Sequence, residues 1–153
     1  MKTLNSFGLL FVLTTLLVVA CGEKSLDSKD VQKLLEEAVD ADSLQERKGL
    51  RFQINSSNPY TGWEKRMYDS GQARTLTRFK DGKPDGPGMA WYENGQKEGE
   101  GTWKDGKMDG SWTSWHDNGQ RRSETTLKGN VFVSGRFWNR LGEEVETFED
   151  TEK

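Results

Sequence analysis

The sequence predicts an all-β fold: an antiparallel meander of about three and a half 24-residue repeats, preceded by a signal peptide and one short helix. Three observations carry this prediction. Asx-Gly turn signals recur at a fixed spacing, and the segments between them alternate in polarity. The composition is also too poor in aliphatics for a deep core: hydrophobic residues make up 32%, against about 45–50% in an average domain. Six Trp, three Tyr and seven Phe accompany 17 Gly, a mixture that suits short strands in a thin sheet. At 153 residues the chain is one domain's worth.

Residues 1–20 read as a targeting segment. Lys2 is followed by the apolar run Phe7 to Val19, 13 residues broken only by Thr14 and Thr15. As a helix this run spans about 20 Å, short of the roughly 30 Å of a bilayer's hydrocarbon core, and fits a signal-peptide h-region. The single cysteine then falls at the cleavage point, in Val18-Val19-Ala20-Cys21-Gly22. This stretch resembles the lipobox of bacterial lipoproteins, in which the cysteine thiol is acylated and becomes the mature N-terminus. The resemblance implies a lipid-anchored protein of the bacterial cell envelope, its body periplasmic or extracellular. Gly22, rather than Asp, after the cysteine implies the outer membrane where the cell has one.

Residues 21–27 form a tether, and residues 28–42 a short amphipathic helix. Val31, Leu34, Leu35, Ala38 and Val39 are spaced i, i+3, i+4, i+7, i+8, and Asp30 near the start suits the helix dipole. The stripe is narrow, as in a docking or spacer helix. Residues 43–58 then read as a β-hairpin and loop. Leu44–Arg47 and Leu50–Ile54 flank Lys48-Gly49, and Asn55-Ser56-Ser57-Asn58-Pro59 is loop by composition.

Repetition dominates residues 59–150. Tyr68-Asp69-Ser70-Gly71-Gln72 recurs as Tyr92-Glu93-Asn94-Gly95-Gln96 and as His116-Asp117-Asn118-Gly119-Gln120, 24 residues apart each time. A second turn, Lys80-Asp81-Gly82-Lys83, recurs as Lys104-Asp105-Gly106-Lys107 and is degraded to Lys128-Gly129-Asn130 in the third unit. Both dipeptide classes suit type I′ hairpin turns, with positive φ at Gly71, Gly95, Gly119, Gly82 and Gly106. Two turns per unit leave two strands of about seven residues. Trp138-Asn139-Arg140-Leu141-Gly142-Glu143 is a fourth, partial unit that has lost the turn asparagine. It reads as a terminal cap against an open edge, and its glycine as less demanding than Gly95. Within the second strand of the first unit, Ala73, Thr75, Thr77 and Phe79 share one face, while Gln72, Arg74, Leu76 and Arg78 share a mostly charged, solvated one. The pattern leaves open which face holds Trp91 and Trp115.

These residues carry a family resemblance. An aromatic pair, Asn-Gly, a variable strand and Lys-Asp-Gly-Lys resemble the MORN-repeat variant of bacterial proteins called YwqK-type antitoxins. Leu50-Arg51-Phe52 and Pro59-Tyr60-Thr61-Gly62 are similar to that family's lead-in. The resemblance covers about residues 59–150 and implies an extended β-meander that contacts proteins or lipids, with no catalytic residues to carry over. A lipobox sits poorly with the antitoxin label, because an antitoxin of a cytoplasmic toxin should stay in the cytoplasm.

Composition narrows the chemistry. With 22 basic and 25 acidic residues, a net charge of -3 excludes a general electrostatic nucleic-acid binder. One Cys and one His exclude an internal disulfide and the multi-Cys or multi-His metal sites; no metal, cofactor or small-molecule substrate is expected. His116 occupies the slot of Tyr68 and Tyr92 and reads as a packing residue. The carboxylates Asp69, Glu93 and Asp117 read as turn residues. Asp105 to Gly110 lacks the spacing and closing Glu of an EF-hand, and the fragments Gly86-Pro87-Gly88 and Gly99-Glu100-Gly101 are strand and turn glycines. The aromatics have two readings. Either they cover glycine-rich neighbours, or Trp91, Tyr92, Trp103, Trp112 and Trp115 form a stripe that anchors a partner protein or stacks on a glycan. The expectation is a non-catalytic, membrane-anchored binding or scaffolding module with an unidentified protein partner. An antitoxin or immunity protein is the first alternative, a glycan binder the second, and an enzyme the last.

Overall fold

A computed structural model describes residues 28–152; the expected signal peptide, tether and lipid-bearing Cys21 lie outside the described residues. The elements in chain order are α1 (Ser28–Glu37), β1 (Val39–Asp40), a 3₁₀ turn (Ala41–Ser43), β2 (Leu44–Arg47), β3 (Leu50–Gln53), β4 (Gly62–Met67), β5 (Ala73–Lys80), β6 (Lys83–Trp91), β7 (Lys97–Lys104), β8 (Lys107–Trp115), β9 (Arg121–Lys128), β10 (Val131–Trp138), β11 (Glu144–Val145) and a 3₁₀ turn (Glu149–Glu152). Among them, nine strands form one sheet in the order β1-β4-β5-β6-β7-β8-β9-β10-β11. From β4 to β11 every neighbour is sequential and antiparallel. The expected meander is present, with β2 and β3 as a separate hairpin.

The two ends of the sheet use different turns. Both central residues have positive φ at Asp81-Gly82 (49°, 81°), Asp105-Gly106 (50°, 82°) and Gly129-Asn130 (60°, 73°), the signature of type I′. At the other end only Gly71, Gly95, Gly119 and Gly142 are positive, at 82° to 84°. There Gly95 N–H donates to the Tyr92 carbonyl and Tyr92 N–H to the Gln96 carbonyl, both at 2.9 Å. This is a three-residue loop ending in a left-handed glycine, with a bulge in the pairing beside it. The type I′ expectation therefore fails for the Asn-Gly turns: Asn94 keeps negative φ, and its side chain accepts from Gln96 N–H at 2.9 Å, an Asx turn that reinforces the loop. Gly142 adopts the same turn without an asparagine before it. Its bonds are Gly142 N–H to Asn139 O and Asn139 N–H to Glu143 O, each 2.9 Å.

The helix is shorter than the 28–42 its apolar spacing predicts. It ends at Glu37, and Val39 and Asp40 pair in parallel with Glu64 and Lys65 of β4. Ala38 joins Leu76 and Met89 in one cluster, while Val39 packs with Leu44, Tyr60 and Phe79 in another. Neighbouring residues thus enter different clusters, which strand alternation permits and a helical stripe does not. Lys65 Nζ donates to the Leu35 carbonyl at 3.0 Å, placing a cation at the helix C-terminus where the dipole favours it.

α1 also revises the expected solvated face. Val31, Leu34, Leu35, Trp63 and Trp91 pack around Leu76, which is 0% exposed. The row of Lys65, Leu76, Met89, Glu100, Thr113, Glu124 and Arg136 runs across the sheet by cross-strand register. It is roofed by the helix at β4–β6 and open beyond.

Candidate functional site

The aromatics that the sequence singles out divide between the two faces of the sheet. Trp91 packs on the helix-bearing face with Trp63. Trp115 follows Thr113 on that face, with Lys97 Nζ 5.6 Å from its ring centroid. Trp103 and Trp112 lie on the opposite face, edge to face at 5.9 Å. They cover glycines: a Cβ on Gly88 would sit 2.6 Å from Trp103 Nε1, and one on Gly101 would collide with the Trp112 ring. A glycine opposite a large ring lets that ring lie flat on the backbone and replaces a core. All five candidate aromatics, Tyr92 included, are half-buried, so no continuous exposed stripe forms.

Transverse hydrogen bonds tie each turn to the next. The Tyr68 hydroxyl donates to the Trp91 carbonyl at 2.9 Å and the Tyr92 hydroxyl to the Trp115 carbonyl at 2.8 Å. His116 Nε2 lies 2.9 Å from the Trp138 carbonyl. Asn94 Nδ2 donates to the Asp117 carbonyl and Asn118 Nδ2 to the Arg140 carbonyl, both at 2.9 Å. At the other end, Gly82 N–H donates to Tyr60 O, Gly106 N–H to Pro84 O and Asn130 N–H to Met108 O, each at 2.8 Å. Side chains reinforce that end: Thr61 Oγ1, Asp85 Oδ2 and Asp109 Oδ2 accept from the amides of Asp81, Asp105 and Gly129. The glycines at 71, 95, 119, 82 and 106 are parts of this frame.

A groove of about 370 Å³ opens between the β2–β3 hairpin and the Trp103 face, lined by Arg51, Glu64, Arg66, Phe79 and Trp103. Glu64 is 5% exposed. Its Oε1 accepts from Arg66 Nε at 3.4 Å, and Arg51 Nε stands 3.6 Å from Oε2, which accepts no hydrogen bond among the described residues. A buried carboxylate is costly without compensating cations, so Glu64 fixes both guanidinium groups beside the groove. Sequence reasoning missed this cluster, although a signal existed. Positions 64, 88 and 112 are equivalent in the 24-residue alignment, and Gly88 and Trp112 are uncharged.

The groove offers charged and apolar contacts side by side. Among the described residues, no group of three or more His, Cys, Asp or Glu is placed to hold a metal ion, and no helix is long and apolar enough to cross a membrane. Burial raises the hydroxyl pKa of Tyr60 and of Tyr92; at Tyr92 the Glu98 carboxylate adds to the effect. No family model, curated protein or solved structure matches the chain.

Proposed function

We propose that the protein is a non-catalytic binding module of the bacterial cell envelope, held to the membrane by acylation of Cys21. Three MORN-like units and a partial fourth form its body, which presents the Arg51–Glu64–Arg66–Trp103 groove to a protein partner. The supporting observation is the transverse bonding. A sheet with so little core stays rigid because each turn is bolted to its neighbour, and a rigid platform loses little entropy on binding. The groove combines an aromatic with arginines, the residue types enriched at interface hot spots.

Two measurements test this reading. Cells fed labelled palmitate should label wild-type protein and not Cys21→Ser; an unlabelled wild type removes the lipid anchor. Full-length protein solubilised from membranes should retain an envelope protein that Trp103→Ala and Arg66→Glu lose and that Arg140→Ala keeps. Equal retention by all three variants rejects the groove as the contact.

A further inference from the structure

The fourth unit does not close the sheet as a cap would. β11 pairs with Phe137 and Trp138 only, so Val131 to Arg136 have a hydrogen-bonded strand on the β9 side alone. Their side chains are apolar and open: Val131 is 67% exposed, Phe132 55% and Val133 59%. In β8, the N–H and carbonyl of Met108 are taken by Asn130 at 2.7 and 2.8 Å. Phe132 is the equivalent residue 24 positions on, and among the described residues no further turn follows to serve it. Natural edges are blunted by Lys, Pro, short length or a β-bulge; residues 131–135 carry neither Lys nor Pro, and the one bulge, at Val133, is on the β9 side.

We propose that this edge pairs antiparallel with the same edge of a second copy, joining two sheets across β10. Charge selects the occupant. The long strands β4 to β9 each carry two or more charged residues, whereas β10 carries only Arg136, and Glu144 binds that guanidinium through two hydrogen bonds of 2.9 and 2.7 Å. The strand in this protein that best matches a neutral apolar edge is therefore β10 itself. Geometry makes the assembly closed. At the opposite edge β1 pairs with Glu64 and Lys65 of β4, a strand that carries three charged residues and so does not match β10; two copies therefore meet through one shared patch and form a two-fold dimer instead of a filament. A two-fold axis between Val133 and Ser134 sets Phe132 opposite Gly135 of the second copy. That repeats the register of Trp112 and Gly101 within the sheet; the Phe132 ring lies against its own Gly135 and Phe137, beside this junction.

The bulge at Val133 is compatible with this pairing. β6 and β8 are bulged against one neighbour, yet Gly86–Ala90 and Gly110–Ser114 pair in unbroken register with the strand on the other side. A single strand pair buries less than the roughly 1,200 Å² of a standard stable interface, so the dimer is weak in dilute solution.

Full-length protein carrying a photoreactive phenylalanine analogue at position 132 tests the pairing in cells. Irradiation should give a covalent species of twice the chain mass, joined through β10 of both copies. Val133→Asp in every copy, or Val133→Lys in every copy, should lower its yield about tenfold or more, because like charges then meet across the axis. Co-expressing the Asp and Lys chains should restore the cross-link, which a misfolded variant would not do. Absence of the dimer from wild type, cross-linking to a different protein, or failure of the mixed pair to recover each overturns the proposal.

Discussion

His116 Nε2 stands 2.9 Å from the Trp138 carbonyl oxygen, the contact that the hydroxyls of Tyr68 and Tyr92 make with Trp91 and Trp115. A carbonyl only accepts, so Nε2–H is the donor of this bond. The imidazole thus does the work of a phenol: it crosses an intervening strand and fastens one turn to the next. The ring itself is buried, at 2% exposed.

His116→Gln should therefore be tolerated better than His116→Leu. The two side chains are similar in size, but only the amide can donate to the Trp138 carbonyl. Leucine should cost about 1–3 kcal/mol more than glutamine, the penalty for an unsatisfied buried acceptor. Urea denaturation midpoints compare the two; equal losses would reduce His116 to a packing residue alone.

Gly142→Val should destabilise as much as Gly95→Val. Both glycines have φ of 84°, where a β-branched residue is strained by about 1–3 kcal/mol. A Cβ on Gly142 would also lie 3.2 Å from Gln120 Oε1, closer than the 3.5 Å to Gln72 Nε2 at Gly95. Thermal melts of the two variants decide this. A clearly milder Gly142→Val would support the sequence expectation over the turn geometry.

The difference between those expectations shows where the sequence was legible. Asp81-Gly82 and Asp105-Gly106 specify their turns locally, and the meander follows from their spacing. Asn94-Gly95 suits two turn types, and the one it adopts recurs at Ser70-Gly71 and Leu141-Gly142 without an asparagine, so the dipeptide alone does not choose between them. Ala38 and Val39 fit a helical stripe and an alternating strand equally well. The choice comes from β4, which offers Val39 a pairing partner in Glu64. The faces of Trp91 and Trp115 depended on bulges beside the Asn-Gly turns, which polarity alternation alone does not reveal. The Arg51–Glu64–Arg66 cluster joins the lead-in hairpin to the first repeat strand, a tertiary contact outside any repeat.

Gly101→Ala should be costly for a reason other than φ. Its Cβ would collide with the Trp112 ring and sit 2.9 Å from the Ser111 carbonyl oxygen. Overpacking of this kind costs about 1–3 kcal/mol. In a Trp112→Ala background the share due to the ring should disappear while the Ser111 carbonyl contact stays, so the two changes couple by about 1 kcal/mol in a double-mutant cycle. Additive losses would mean that the ring does not lie on the glycine in solution.

Alkaline stability should depend on Tyr92. Burial raises its pKa above the ordinary tyrosine value near 10, with Glu98 adding to the shift. The native state then holds its phenolic proton to higher pH than the unfolded chain does. Its contribution is complete below about pH 10 and is lost as pH rises from there through the native pKa. Tyr92→Phe removes this titration together with the hydrogen bond to the Trp115 carbonyl. The variant should lose about 1 kcal/mol at neutral pH, and its stability should fall less steeply than wild type above about pH 10. Comparing the two proteins' denaturation midpoints across that range cancels the lysine titrations common to both. Parallel curves would place the Tyr92 hydroxyl in water, unbonded, and would remove one rung from the turn-to-turn frame.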